Sequence, residues 1–287
     1  MSDVPPPRAS ARYARELTAL VGAPIATYIT GWGHPYLFDA TIALIAALAL
    51  HEFLNLGVKK GYDIPVVLCE LVMLFITAAF VFEQVSVELG MFITLLVIPA
   101  SYVFRKGDID NSLPSSAVAV LATMYVGMLA GSIIRLRSDF GLVIGPKLVF
   151  FLLLVVWLGD AGAYYTGKKF GKHKLSPRIS PKKTVEGLAG GVVASVITAV
   201  VIHYTFFEQF PLQHAIIVGI VLSITGVIGD LAETMWKRSA AVKDSGTLIP
   251  GHGGFLDRFD SILFTAPILY IYWAFSQHAF TLNIIQG

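Results

Sequence analysis

Apolar runs of membrane-spanning length succeed one another along almost the whole chain, separated by turns too short to fold by themselves. A helix needs about 20 apolar residues to cross the hydrocarbon core, with about 17–25 as the usual range. The runs Leu17–Gly31, Tyr36–Gly57, Ile64–Gln84, Val87–Phe104, Ser115–Ile134, Leu142–Gly159, Gly187–Phe207, His214–Leu231 and Phe259–Phe275 approach or meet that length. The turns between them hold Gly, Pro, Asn and charges, as in Gly107–Pro114. Of the 287 residues 55% are hydrophobic and 14% charged, against about 25% charged in soluble proteins. The expected fold is all-α: a polytopic integral membrane protein with about nine transmembrane helices. The first run is short and broken by Gly22 and Pro24, so it could cross, tilt, re-enter or lie at the interface. Trp32, Tyr36 and Trp273 suit an aromatic belt at the membrane interfaces.

Lys and Arg accumulate in cytoplasmic loops. With the N-terminus inside, all of the 21 Lys and Arg residues except Arg135, Arg137 and Lys147 fall on the cytoplasmic side, so the C-terminus is expected outside. Arg135 and Arg137 then look like ordinary outer anchors. The chain divides into a polar cytoplasmic segment 1–16, N-terminal transmembrane helices 17–134, and a region 135–287 with cytoplasmic loops 160–186 and 232–258. No removed leader peptide is expected. The single cysteine, Cys69, lies in an apolar run and suits a small core residue. A net charge of +2 is too small to argue for nucleic acid.

The same alternation of directions brings the membrane acids together. Glu52, Glu70, Asp160, Asp230, Asp257 and Asp260 all fall near the cytoplasmic leaflet. Ionisable groups at that depth are costly and usually face a cavity or a partner. His51, Glu52 and Glu70 could line a lipid entry, pair with cations, or make helix–helix hydrogen bonds.

The stretch from Lys237 to Asp260 packs four cations, three carboxylates, a His and four glycines into 24 residues. Glycines let backbone N–H groups approach a phosphate, Lys and Arg neutralise it, and carboxylates become useful when a divalent cation lies between them. The stretch therefore reads as a metal–phosphate site. Just upstream, Asp230, Glu233, Thr234 and Lys237 share one face if the helix continues past the membrane surface. Alone, that face would also suit an intrahelical salt-bridge ladder. Asp257 and Asp260 open the last helix on one face, where they could merely complement the helix dipole. Magnesium prefers one or two protein carboxylates plus water and substrate phosphates, and Asp230 with Asp257 and Asp260 fits that demand. His252 suits a phosphate donor or a loop-fixing residue better than a catalytic proton-transfer group. The second polar island, Trp157 to Gly187, carries seven cations, which an anionic-lipid patch would also explain. That does not explain Ser176-Pro177 and Ser180-Pro181-Lys182-Lys183-Thr184, where paired prolines stiffen a loop presenting hydroxyls and cations.

The pattern K-D-x-G-x-x-I-P-x-H-G-G-F-x-D-R-F-D over Lys243–Asp260 resembles the signature of the phosphatidate cytidylyltransferases, or CDP-diacylglycerol synthases. The likeness continues upstream through Lys237 and Arg238. That family has Ser where Thr234 stands, a change that keeps the hydroxyl, and an aliphatic residue where Trp236 stands. The resemblance implies condensation of CTP with phosphatidic acid to CDP-diacylglycerol and pyrophosphate in a plasma membrane of bacterial type, with the active site facing the cytoplasm. It implies Mg²⁺, alone or with a second cation, held by Asp230, Asp257 and Asp260, and a homodimer among membrane lipids. It casts Asp230, Lys237, Arg238, Lys243, Asp257 and Arg258 as catalytic. Asp160, Lys182, Lys183, Thr184, Glu233, Thr234, Asp244, His252, Gly253 and Gly254 are cast as substrate-binding. Another CTP-dependent isoprenoid-lipid enzyme would share this headgroup site. An anion transporter would instead show related halves with helices interrupted near the midplane.

Overall fold

The structure is a computed structural model and describes residues 20, 22–82, 84–106, 108–246 and 253–286, with side chains to residue 276. The polar segment 1–16 lies outside these residues. Residues 22–31 form helix α1, followed by α2 (Pro35–Lys59), α3 (Val66–Val81), α4 (Val87–Val103), α5 (Ser112–Ser138) and α6 (Gly141–Phe170). A short hairpin, β1 (Lys174–Ser176) with β2 (Ser180–Thr184), leads into α7 (Val185–Thr205), α8 (Leu212–Ser239) and α9 (Leu256–Gln286). Local chemistry sets several of these starts. Ser86 accepts from the Leu89 N–H at the head of α4, Thr184 accepts from Gly187 N–H at the head of α7, and Pro35 follows the His34 cap of α2.

The chain is an integral membrane protein. Among the described residues, α2, α5 with the preceding 3₁₀ turn, α6, α7, α8 and the first 21 residues of α9 are long and apolar enough to cross a bilayer. Helices α3 and α4, at 16 and 17 residues, rise only about 24–26 Å, short of a core about 30 Å thick. With α1, described only over residues 22–31, these two account for the difference between the six helices that qualify by length among the described residues and the nine crossings expected. By contrast α6 and α8, with 30 and 28 residues, rise about 42–45 Å. Each has length to spare, and its last turns carry Lys168 and Lys169, or Lys237 and Arg238, beyond the apolar stretch.

Two packing relationships place the polar end of the bundle. Helices α6 and α7 approach closely through small residues, as membrane helices do where backbones must touch. A Cβ on Gly190 would lie 2.2 Å from Thr166 Oγ1, and one on Gly162 only 2.4 Å from Ala194 Cβ. The Ser195 hydroxyl donates across this seam to Val155 O at 3.0 Å. Similarly, Gly229 of α8 lies under Phe264 and the Asp260 carbonyl of α9. The acids of α6, α8 and α9 and the cations of the hairpin thereby reach one end. On the other side of the bundle, α2, α3, α4 and α5 pack together, and α5 joins them to α6 and α9.

Some expectations change. The segment 174–184, read as a stiffened loop, is a two-stranded antiparallel hairpin. Its neck is tied by Glu186, which accepts from the backbone N–H groups of Lys172 and His173. Arg137 is no outer anchor: it is 3% exposed, donates to Thr30 O at 2.9 Å and feels the charge of buried Asp39. Trp273 likewise belongs to the core, 4% exposed between Phe207 and Phe210, whereas Trp32 and Tyr36 are exposed as an interfacial belt requires. Of the readings left open for His51, Glu52 and Glu70, hydrogen bonds are present: His51 bonds Glu70 at 2.8 Å, and Glu52 accepts from Ser245 and Leu256 at the polar loop before α9.

Candidate active site

A cavity of about 900 Å³ opens at the polar end between α6, the hairpin, α7, α8 and α9. Among the described residues its charged lining is evenly balanced, five cations (Lys168, Lys182, Lys183, Lys237, Arg258) against five carboxylates (Asp160, Asp230, Asp244, Asp257, Asp260). The even balance means that a polyphosphate entering alone would meet as much repulsion as attraction. The remaining wall is largely apolar, with Trp157, Leu188, Val227 and Ile262 among its residues.

The expected face on α8 forms, because the helix runs unbroken to Ser239. Lys237 Nζ lies 2.5 Å from Glu233 Oε2 and 2.5 Å from Asp257 Oδ1. Glu233 is fully buried, and a buried carboxylate demands a partner. Lys237 supplies it and at the same time ties α8 to α9. Glu233 and Thr234 do not line the cavity; Glu233 serves Lys237, and the Thr234 hydroxyl donates to Asp230 Oδ1 at 3.1 Å. Trp236 packs on the opposite side, stacked on Phe53 with centroids 4.6 Å apart and edge-on to Tyr125 at 5.1 Å.

Asp257 is more fully engaged than expected. Oδ2 accepts from Ser245 N–H at 3.1 Å, Ser245 Oγ at 3.0 Å and Gly254 N–H at 3.0 Å, while Oδ1 holds Lys237. Both oxygens are therefore committed to organising the loop and α9. Asp160, Asp230 and Asp260 present a different picture. Asp260 feels the charges of both Asp230 and Asp160, and Asp160 that of Asp230, so three carboxylates on three helices repel one another across the cavity. Lys183 opposes them, 2.5 Å from Asp230 Oδ2, and the charge of Lys237 also reaches Asp260.

Hard oxygen donors that repel one another suit a hard divalent cation. Among the described residues no three His, Cys, Asp or Glu side chains converge as a ready metal site. A cation here would thus rely on water or substrate oxygens besides a pair of carboxylates.

The other expected residues divide. Lys182, Lys183 and Thr184 line the cavity from β2, with Thr184 also capping α7, and Asp244 and Arg258 line it from the loop and α9. Arg238 and Lys243 are exposed and outside the lining, and the Arg238 guanidinium donates to Val242 O at 3.0 Å. Gly253 adopts a φ of +84° and, with Gly254, precedes α9 rather than lining the cavity. His252 lies outside the described residues. Sequence reasoning gave no role to Lys168, which lines the cavity from the last turns of α6, or to Ser245, which bridges two carboxylates. A signal for Ser245 was its place between Asp244 and Gly246 in the densest polar run; Lys168 was one among seven cations.

Comparison with known proteins gives the same direction. A family model described as the cytidylyltransferase family matches residues 13–276. A phosphatidate cytidylyltransferase of Staphylococcus haemolyticus is 39% identical over 232 residues, covering 79% of this chain and 86% of that protein. One of Bacillus subtilis is 34% identical over 241 residues, covering 81% and 87%. A match of that extent embraces every element lining the cavity, and the chain belongs to the cytidylyltransferase family.

Proposed function

We propose that the cavity condenses CTP with phosphatidic acid, releasing pyrophosphate and forming CDP-diacylglycerol. The observation that carries this is the joining of three clustered carboxylates, opposing cations and an apolar wall in one cavity at the membrane end of a bundle whose relatives are phosphatidate cytidylyltransferases. A phosphatidate oxygen is already an anionic nucleophile, so no Ser or Cys is required. It attacks the α-phosphorus of CTP, the bond from that phosphorus to the bridging oxygen of the β-phosphate breaks, and pyrophosphate leaves with that electron pair. Catalysis consists of alignment and of stabilising the charge that spreads over the phosphoryl oxygens.

Mg²⁺ would be held by Asp230 and Asp260 with Asp160 beside them, since Asp257 spends both oxygens on Lys237, Ser245 and Gly254. When bound, the cation would neutralise phosphate charge and turn the carboxylates from a barrier into a support. Lys183, released from Asp230, is placed to contact a phosphate, with Lys182, Lys168 and Arg258 around it. Lys237, steadied by Glu233 and Asp257, supplies a fixed positive charge at the α8–α9 junction. Of the wider set, Arg238 and Lys243 act from outside the lining.

The positive residues support nine crossings with the N-terminus and this cavity on the cytoplasmic side, where a water-borne nucleotide meets a lipid headgroup whose chains stay in the bilayer. The short α3 and α4 would then cross where the bilayer thins locally. Purified protein given CTP and Mg²⁺ with either phosphatidate or an isoprenyl phosphate separates the two lipid classes. Product with phosphatidate is expected; product from the isoprenyl phosphate alone contradicts the proposal.

A further inference from the structure

Glu52 is the one acid of the membrane cluster that neither lines the cavity nor meets a basic side chain among the described contacts. It lies on α2, 2% exposed, about two hundred residues before its partners in sequence. Its Oε2 accepts from the Ser245 hydroxyl at 2.9 Å and from the Leu256 N–H at 3.0 Å. Leu256 is the first residue of α9, whose leading N–H groups have no partner within the helix. A carboxylate at that end satisfies one of them and complements the positive end of the helix dipole. Glu52 therefore caps α9 from another helix.

The loop closes around it. A Cβ on Gly246 would lie 2.2 Å from Glu52 Oε1, and one on Gly254 would lie 2.2 Å from Oε2 and 2.1 Å from Ser245 Oγ. A side chain at either place would force the Glu52 carboxylate or the Ser245 hydroxyl to move, because the carboxylate fills the gap between the arm leaving α8 and the arm entering α9. Ser245 then passes the constraint on, since its N–H and hydroxyl also reach Asp257, the partner of Lys237. One hydroxyl proton serves two carboxylates, so Glu52 and Asp257 are joined through Ser245. Among the described residues, Glu52 Oε1 is buried without a hydrogen-bond partner. An acid left half-satisfied in the interior lowers stability, which is a reason to expect that it does something other than hold the fold.

We propose that Glu52 is a positioning residue for the cytidylyl transfer, fixing Asp257 and through it Lys237 by clamping the neck of the loop between α8 and α9; this rests on the active-site assignment above. It touches no reacting group and acts through Ser245 and the α9 N-terminus. Loosening it misplaces the charges without removing them, and a displacement of the order of 1 Å costs up to about a hundredfold in rate.

The test is steady-state kinetics of the full chain in detergent with CTP, phosphatidate and Mg²⁺, for wild type, E52A, E52Q, S245A and K237M, each normalised to protein recovered folded by size exclusion. E52A is expected to lower kcat about tenfold or more while the KM for phosphatidate stays within about twofold. E52Q, which keeps an oxygen for the Leu256 N–H, is expected to recover most of that loss, a rescue that a mere folding defect would not show in kcat. If E52A is not recovered folded, S245A decides, with a fall in kcat of about threefold or more expected. Wild-type kcat in E52A, or in S245A where E52A does not fold, overturns the proposal, as does a fall that E52Q leaves unrescued. K237M separates this from the site assignment: a wild-type rate in K237M overturns the role of Lys237 itself, whereas loss in K237M with full rate in E52A overturns only the role of Glu52.

Discussion

Lys237 and Asp257 meet at 2.5 Å across the junction of α8 and α9, with fully buried Glu233 at the same distance on the other side of the ammonium. Replacing Lys237 by Met strands two carboxylates, and a buried pair broken from one side typically costs about 3–5 kcal/mol. K237M should lower the thermal midpoint in detergent and reduce turnover about 100-fold or more. The double variant E233Q/K237M removes the stranded charge that has no other donor, whereas Asp257 keeps Ser245 and Gly254. It should regain most of the stability and none of the activity, as thermal unfolding and kcat measured on the same sample will show. Equal recovery of both would mean that Lys237 is structural only.

The seam between α6 and α7 tolerates no side chain at Gly190, where a Cβ would lie 2.2 Å from Thr166 Oγ1. G190V should be destabilised by about 1–3 kcal/mol or more through overpacking, seen as lower folded yield and a lower midpoint. A189L, at an exposed neighbouring position, should leave both unchanged.

A pH effect is expected where Asp63, in the turn after α2, meets Arg105, beyond the end of α4. The Arg105 hydrogen bond holds the Asp63 carboxyl below its usual range. A carboxyl with a lowered folded pKa stabilises above its unfolded value, about 4, and loses that contribution as pH falls through the folded value. The pair is exposed, so the effect is small, less than about 3 °C in the midpoint. The difference in midpoint between wild type and D63N should be constant above about pH 5 and close as the pH falls below about 4.

The sidedness proposed from the positive residues can be read by thiol labelling. Cys69, the single cysteine, is buried, which gives a low background. R178C in the hairpin and T205C at the end of α7 are both at exposed positions. In intact cells a membrane-impermeant maleimide should label T205C and not R178C, and opening the cells should expose R178C. The reverse pattern would place the cavity outside.

Much of this molecule could be read from its residues because lipid allows few solutions. Apolar runs of fixed length gave helices near the expected places, and the i, i+3, i+4, i+7 spacing of Asp230, Glu233, Thr234 and Lys237 gave their common origin on α8. What spacing could not give is which neighbour each charge finds. Glu233 and Asp230 were placed on one face, yet one turns into the core toward Lys237 and the other into the cavity toward Lys183. Asp257 was expected as a metal ligand, and only the return of the chain at Ser245 and Gly254 shows that it also organises the loop. Arg137 was misplaced for the same reason, and the partner of Glu52 could not be named, since Thr30 and Ser245 lie 107 and 193 residues from them. The hairpin escaped notice because its two strands are three and five residues long and rich in Lys, Ser and Pro.

The proposal for the cavity stands on one assay: purified wild type and D260N, with CTP, phosphatidate and Mg²⁺, following pyrophosphate and CDP-lipid together. Wild type should release the two in equal amounts, stop when EDTA is added and resume with fresh Mg²⁺, while D260N should lose about 100-fold or more. Pyrophosphate without CDP-lipid, or an unchanged rate in EDTA or in D260N, would contradict a cation-assisted cytidylyl transfer at these carboxylates.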